Sequence, residues 1–262
     1  MKWRKILATT GLVLVGGLGL WFGQLQWQTH QLGEEKFQQS DVPTVMLAGY
    51  GGNQWTYNGM IQRLTSAHIA HLALKITVAA DGKLTIERHG KLNKNPLIQV
   101  LFVNNKDFRG EQRQLLPVLA RLKSHYHVNT MNLMGHSMGG GVGLNTILSA
   151  QQPQYPQITK FVAIGSPFTG LGKQPDQSRV KALKQQLTAL PKQLKMLNLA
   201  GDVFGTKGDL EVAAATVWLK GILPATIDYH QVLISGDILT SEHSFLHENS
   251  HVDRLIAQFL WQ

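Results

Sequence analysis

The sequence contains no cysteine. That excludes a disulfide framework, a thiolate zinc site, an iron–sulfur cluster and a cysteine nucleophile. Charge is also scarce, with Asp, Glu, Lys and Arg making up 16% of the 262 residues. Basic residues still outnumber acidic ones, for a net charge of +9. No run of Lys or Arg exceeds two residues and no nucleic-acid motif occurs, so the charge does not mark a nucleic-acid reader. Anionic lipid and cell-wall polyanions remain as partners for a basic surface. Proline is sparse (9 residues) and glycine plentiful (26 residues), which favours tight turns over a proline-rich disordered chain. Since 43% of the chain is hydrophobic, disorder as the main state is excluded and one sizeable core is affordable.

The first residues carry Lys2, Arg4 and Lys5, and the stretch Ile6–Gly23 then runs without a charge. That length reaches the membrane-spanning threshold and exceeds most cleaved signal cores. Small residues at cleavage positions are missing, and Trp21, Phe22 and Trp27 stand where a membrane interface would be. Residues 1–23 are therefore expected to be an N-terminal membrane anchor, and cleavage would instead give a secreted protein. The basic end stays in the cytoplasm, so the rest is expected outside the cell, tied to the membrane by a single pass. Polar residues 24–41 read as a tether and residues 42–262 as one domain.

Within that domain short apolar runs alternate with helical patterns. Strands are expected at residues 43–48, 71–78, 83–87, 97–103, 130–134, 160–164, 194–200 and 228–234. Helices are expected near residues 57–65, 111–125, 138–150, 179–190, 211–220 and 251–259. Such alternation predicts an α/β fold with a mostly parallel open sheet and helices on both faces. Ala80-Asp81-Gly82 between two strand-like runs predicts one β-hairpin excursion. The stretch Gly170–Leu194 leaves room for a small cap at most.

The chemistry is carried by Gly135-His136-Ser137-Met138-Gly139, a G-x-S-x-G between a strand and a helix. Glycines at both flanks let Ser137 sit on a cramped turn with its hydroxyl exposed. A serine hydroxyl needs a base, and the base needs an acid to orient it, in the chain order Ser, acid, His. Two aspartates follow the strand at residues 194–200. Asp209 is preferred as the acid because its loop reaches beyond the strand; Asp202 is the alternative, with Asp237 and Glu211 behind them. His243 precedes the last helix and is preferred as base over His247. Activity should then fall below about pH 6.5, where an ordinary histidine protonates. The turn Ala48-Gly49-Tyr50-Gly51-Gly52 offers the Tyr50 amide, which with that of Met138 would form an oxyanion hole.

His247-Glu248-Asn249-Ser250-His251 spells the zinc-protease signature H-E-x-x-H. Asn249 and Ser250 look like helix-start residues, so the two histidines would not share one helical face. No metal and no cofactor are expected.

The segments LAGYGGNQWTYNGMI, NPLIQVLFVNN, LMGHSMGGG, AIGSPFTG, GDLEV and EHSFLHEN together resemble the alpha/beta hydrolase superfamily. They are most similar to its membrane-anchored cell-surface hydrolases of Gram-positive bacteria. The resemblance covers nearly everything from Val42 onward and implies Ser137 as nucleophile, Asp209 as acid, His243 as base, and Tyr50 with Met138 as oxyanion donors. Two departures stand out. Ala48-Gly49 replaces a common His-Gly, and Asp209-Leu210-Glu211-Val212-Ala213 replaces a common Asp-Gly-x-Val-Pro. The expected activity is cleavage of a small-molecule or lipid carboxyl ester. Thioester, amide or acyl-transfer chemistry with the same residues, and non-catalytic binding of cell-wall polyanions, are the alternatives.

Overall fold

The computed structural model describes residue 23 and residues 32–262. The expected anchor (all but residue 23) and the first part of the expected tether lie outside the described residues. Among the described residues no helix is long and apolar enough to cross a membrane.

Eight strands form one sheet: β1 Thr44–Leu47, β2 His71–Val78, β3 Leu84–Arg88, β4 Pro96–Phe102, β5 Thr130–His136, β6 Gln157–Ile164, β7 Lys195–Val203 and β8 Asp228–Gly236. Their spatial order is β3-β2-β4-β1-β5-β6-β7-β8. All neighbours are parallel except β2 and β3, which form the expected hairpin. Its turn closes through Gly82, whose N–H donates to the Ala79 carbonyl at φ +85°.

The helices are α1 Asn58–Ser66, α2 Phe108–Tyr126, α3 Met138–Ser149, α4 Gln177–Gln186, α5 Ala214–Val217, α6 Ile238–Ser241 and α7 Ser250–Trp261. Alternate strand residues feed two cores, as the two-residue side-chain period requires. Val45, Leu47 and Leu133 pack with α2 and α3, whereas Met46 and Met134 pack with α1 and α7. Both faces of the central strands are thereby dry, so β1 is buried along its whole length. The short α4, between β6 and β7, buries none of its residues.

Two expectations need correction. The spacing over residues 211–220 predicts a helix, yet only Ala214–Val217 is helical. Ahead of it, a bridge between Gly208 and Ala213 and the Asp209 carboxylate, which accepts from the Glu211 and Val212 amides, hold the chain in a tight loop. The stretch read as a tether is, from Leu32, laid against the domain. Leu32 is buried with α1 and α7, the Gln38 N–H donates to the Trp261 carbonyl at 2.8 Å, and Glu35 pairs with Arg254. Lys160 of β6 adds donors to the Phe259 and Leu260 carbonyls, covering acceptors that the end of α7 would otherwise leave open.

Glu111, on the first turn of α2, is buried; that burial, with the nearby Asp107 charge, pushes its carboxyl up to about 8. A carboxyl raised on folding stabilises the fold while it is protonated in both states and loses that contribution as pH rises through the folded value. Between about pH 4.5 and about pH 8 the melting temperature is therefore expected to decline, and Glu111→Gln should flatten that slope. Thermal melts of both proteins across this range check it; parallel slopes would refute the assignment.

Candidate active site

Strand β5 runs into α3 through Ser137, which has φ +52° and ψ −122°. Few non-glycine residues adopt such a backbone, and it persists here because its surroundings leave no alternative. The Ser137 N–H donates to the Ile164 carbonyl at 2.8 Å. A Cβ at Gly135 would strike the backbone of Gly139, and one at Gly139 would strike the carbonyls of Leu47 and Ala48. The bend therefore requires glycine at both flanks. Gly49 passes just above the serine, where a Cβ would come 2.9 Å from that of Ser137. Tyr50, next in the chain after Gly49, shares the cavity lining with Ser137, and Met138 opens α3 directly after the serine.

Beyond β7 the loop brings Asp209 back under the sheet edge, where it is almost fully buried. One carboxylate oxygen is held by the Glu211 and Val212 amides, and the other accepts from His243 Nδ1 at 2.8 Å. In the neutral imidazole tautomer that donates from Nδ1 to Asp209, Nε2 is left with its lone pair as an acceptor. The His243 N–H also donates to the Asp209 carbonyl, locking the two loops together. Ser137, His243, Tyr50 and His247 line one cavity of about 260 Å³.

Burial disfavours the charged form of His243, but the Asp209 hydrogen bond and charge, with Glu211 and Glu242 farther out, outweigh it and raise its pKa above the ordinary histidine value. Glu211 reaches to 3.9 Å from His243 Nε2.

The other sequence candidates lie elsewhere. Asp202 accepts from the Lys207 amide at 2.7 Å and serves its own turn. Asp237 caps α6. His247 lies on the cavity wall with its Nδ1 3.4 Å from Glu248 and is not bonded to Asp209. It ends a 3-10 turn, Phe245–Glu248, while His251 is exposed on α7 beyond the Asn249 cap. The two histidines of H-E-x-x-H thus belong to different elements, a poor arrangement for chelating zinc.

Residues 31–262 match the family model described as alpha/beta hydrolase of unknown function, DUF915. The chain belongs to this family. It has the alpha/beta hydrolase fold, and two solved structures share it across most of the DUF915 region. One is a gene product of Listeria innocua, with 24% identity and a TM-score of 0.76, covering 84% of this chain and 93% of that one. The other, named a candidate cell surface hydrolase, is from Lactobacillus plantarum, with 24% identity and a TM-score of 0.70, covering 86% and 92%. A lipase of Bacillus licheniformis shares the fold at 12% identity and a TM-score of 0.53, covering 84% and 92%. No curated protein matches the chain significantly.

Three parts of this DUF915 site escape sequence reasoning. His136, inside the G-x-S-x-G, is buried and donates from Nε2 to the His243 carbonyl at 3.0 Å. Burial, and then the nearby His243 and His247, hold its pKa well below the ordinary histidine value, so it stays neutral. Gly165, after β6, has φ +56°, and any side chain there would press on Asp209 and His243. Arg63 of α1 ties the segment after His243 down by bonding Asp253, Glu248 and the His247 carbonyl. Its one sequence signal is an arginine on an otherwise apolar helix face.

Proposed function

We propose that this DUF915 chain is a serine hydrolase that cleaves carboxyl esters. The observation that supports it most is the Asp209–His243 hydrogen bond beside a serine on a left-handed bend, all opening on one cavity. Ser137 Oγ attacks the ester carbonyl while His243 Nε2 takes its proton. The Tyr50 and Met138 amides receive the charge that develops on the carbonyl oxygen, and the start of α3 adds its positive end there. His243 then returns the proton to the departing alkoxide, and a water repeats the sequence to release the acid. Asp209 keeps the imidazole in the right tautomer and stabilises its charged form. The basic, uncharged-cored first residues and the name of the Lactobacillus plantarum neighbour support an outer-surface location, with residues 1–23 as anchor.

A fluorophosphonate probe tests this reading. Labelling should occur at Ser137 and be abolished by Ser137→Ala. A protein that stays unlabelled and instead retains anionic polymer in a salt-sensitive way would be a binding protein, and the enzyme reading would fail.

The base must be neutral to accept the serine proton, so kcat/KM should fall as pH drops, starting above pH 6.5 because the His243 pKa is raised. Glu211→Gln removes one of the charges that favour the imidazolium and should move this limb to lower pH. The pH profile of p-nitrophenyl ester hydrolysis reads both; a limb unmoved by Glu211→Gln would show that this carboxylate does not reach the base.

A further inference from the structure

Of the nine large apolar side chains most exposed on the described residues, eight lie beyond the carboxyl ends of the parallel strands, the edge that carries Ser137. They flank the serine on both sides. Tyr50 and Trp55 follow β1, Leu171 follows β6, Phe204 and Leu210 follow β7, and Ile238 opens α6 after β8. Leu171 is 80% exposed and Phe204 73%, and neither of these two lines the cavity beside Ser137. Isolated apolar side chains on a surface mean little, but their collection on one edge marks a contact face.

Cations share that edge. Lys106 stands over the Tyr50 ring at 5.6 Å. Lys173 and Lys207 line, with Leu171 and Leu210, a second cavity of about 540 Å³ that meets the first at Glu211. None of these three lysines has a carboxylate partner among the described residues. Apolar tips interleaved with unpaired ammonium groups match the boundary of a lipid layer, where acyl chains lie just beneath phosphates. A second copy of the chain fits less well, because each carries a net charge of +9.

We propose that this edge docks on a lipid layer bearing anionic headgroups, presenting the mouth of the Ser137 cavity to ester-bearing lipid. The choice of substrate rests on the serine-hydrolase reading, whereas the docking does not need catalysis. The absence of cysteine makes a local test simple. Phe204→Cys or Gln154→Cys is introduced into full-length Ser137→Ala protein and labelled with an environment-sensitive NBD fluorophore. Gln154 is exposed at the opposite edge, ahead of β6. Vesicles of phosphatidylglycerol mixed with phosphatidylcholine should raise the emission at position 204 about threefold with a blue shift, leave position 154 nearly unchanged, and outdo pure phosphatidylcholine. A label at position 204 that stays aqueous while the protein floats with the vesicles overturns the proposal. So does equal response at both positions, or a vesicle-independent response that grows with protein concentration, which would reveal self-association.

A second measurement reads function. Leu171→Ser combined with Phe204→Asn should slow hydrolysis of an ester carried in anionic vesicles about tenfold and leave p-nitrophenyl acetate within about twofold. Equal losses on both substrates would overturn docking as the role of these side chains. If wild-type protein hydrolyses neither ester, the hydrolase reading fails while the fluorescent labels still decide the docking.

Discussion

Ser137→Ala is expected to lower kcat on a p-nitrophenyl ester by about 10³-fold or more, with little change in KM or in melting temperature. The change deletes one oxygen and leaves the bend intact, because alanine meets the same backbone demand as serine at φ +52°. No protein hydrogen bond is lost with the hydroxyl, which faces the cavity. The effect should therefore fall on the chemical step and spare stability. The residual rate would come from the Tyr50 and Met138 amides and from binding alone. Steady-state kinetics and a thermal melt of the same preparation separate the two effects. Near-wild-type turnover by the variant would end the serine reading.

Arg63→Met should cost about 3–5 kcal/mol of stability, since it strands a buried carboxylate. Arg63 bonds Asp253 through two nitrogens, at 2.5 and 3.3 Å, and Asp253 has no solvent exposure. Burial pushes the Asp253 carboxyl above its ordinary range, and the charge and hydrogen bonds of Arg63 pull it part of the way back. Without the arginine that upward push loses its main opponent. A carboxyl raised on folding contributes stability below its unfolded value, near 4, and loses it as pH rises through the folded value. The deficit of the variant should thus be full at pH 7 and shrink as the solution is acidified toward pH 4. Denaturant titrations at several pH values check both the size and the slope. A deficit independent of pH would move the cause away from Asp253. The segment Arg63 holds follows directly on His243, so the variant should also lose ester turnover at temperatures where it remains folded.

Much of the architecture was legible because a parallel strand buried on both faces leaves a plain apolar run. Each of the eight strands was located to within a few residues, and the hairpin was announced by Ala80-Asp81-Gly82. The Ser137 bend was legible for a similar reason, since its steric demands are local and fall on residues two places away. The acid was harder. Asp202 lies at the end of β7 and Asp209 beyond it, and the choice depends on a loop whose hydrogen bonds to the Asp209 carboxylate replace the helix that its apolar spacing suggested. Contacts between residues distant in sequence left almost no local trace. Nothing around His136 announces that its ring packs against His243, more than a hundred positions later, with centroids 4.6 Å apart. Leu32 looked like one apolar residue in a polar stretch, and only the fold gives it a hydrophobic seat.

That seat extends the packed domain back at least to Leu32. Leu32, Glu35 and Gln38 clasp the last helix, whose final carbonyls accept from the Gln38 N–H and from Lys160. A recombinant fragment trimmed to Val42 would lose this clasp and bare the Trp261 end of α7. Any protease that sheds the domain intact has to cut ahead of residue 32.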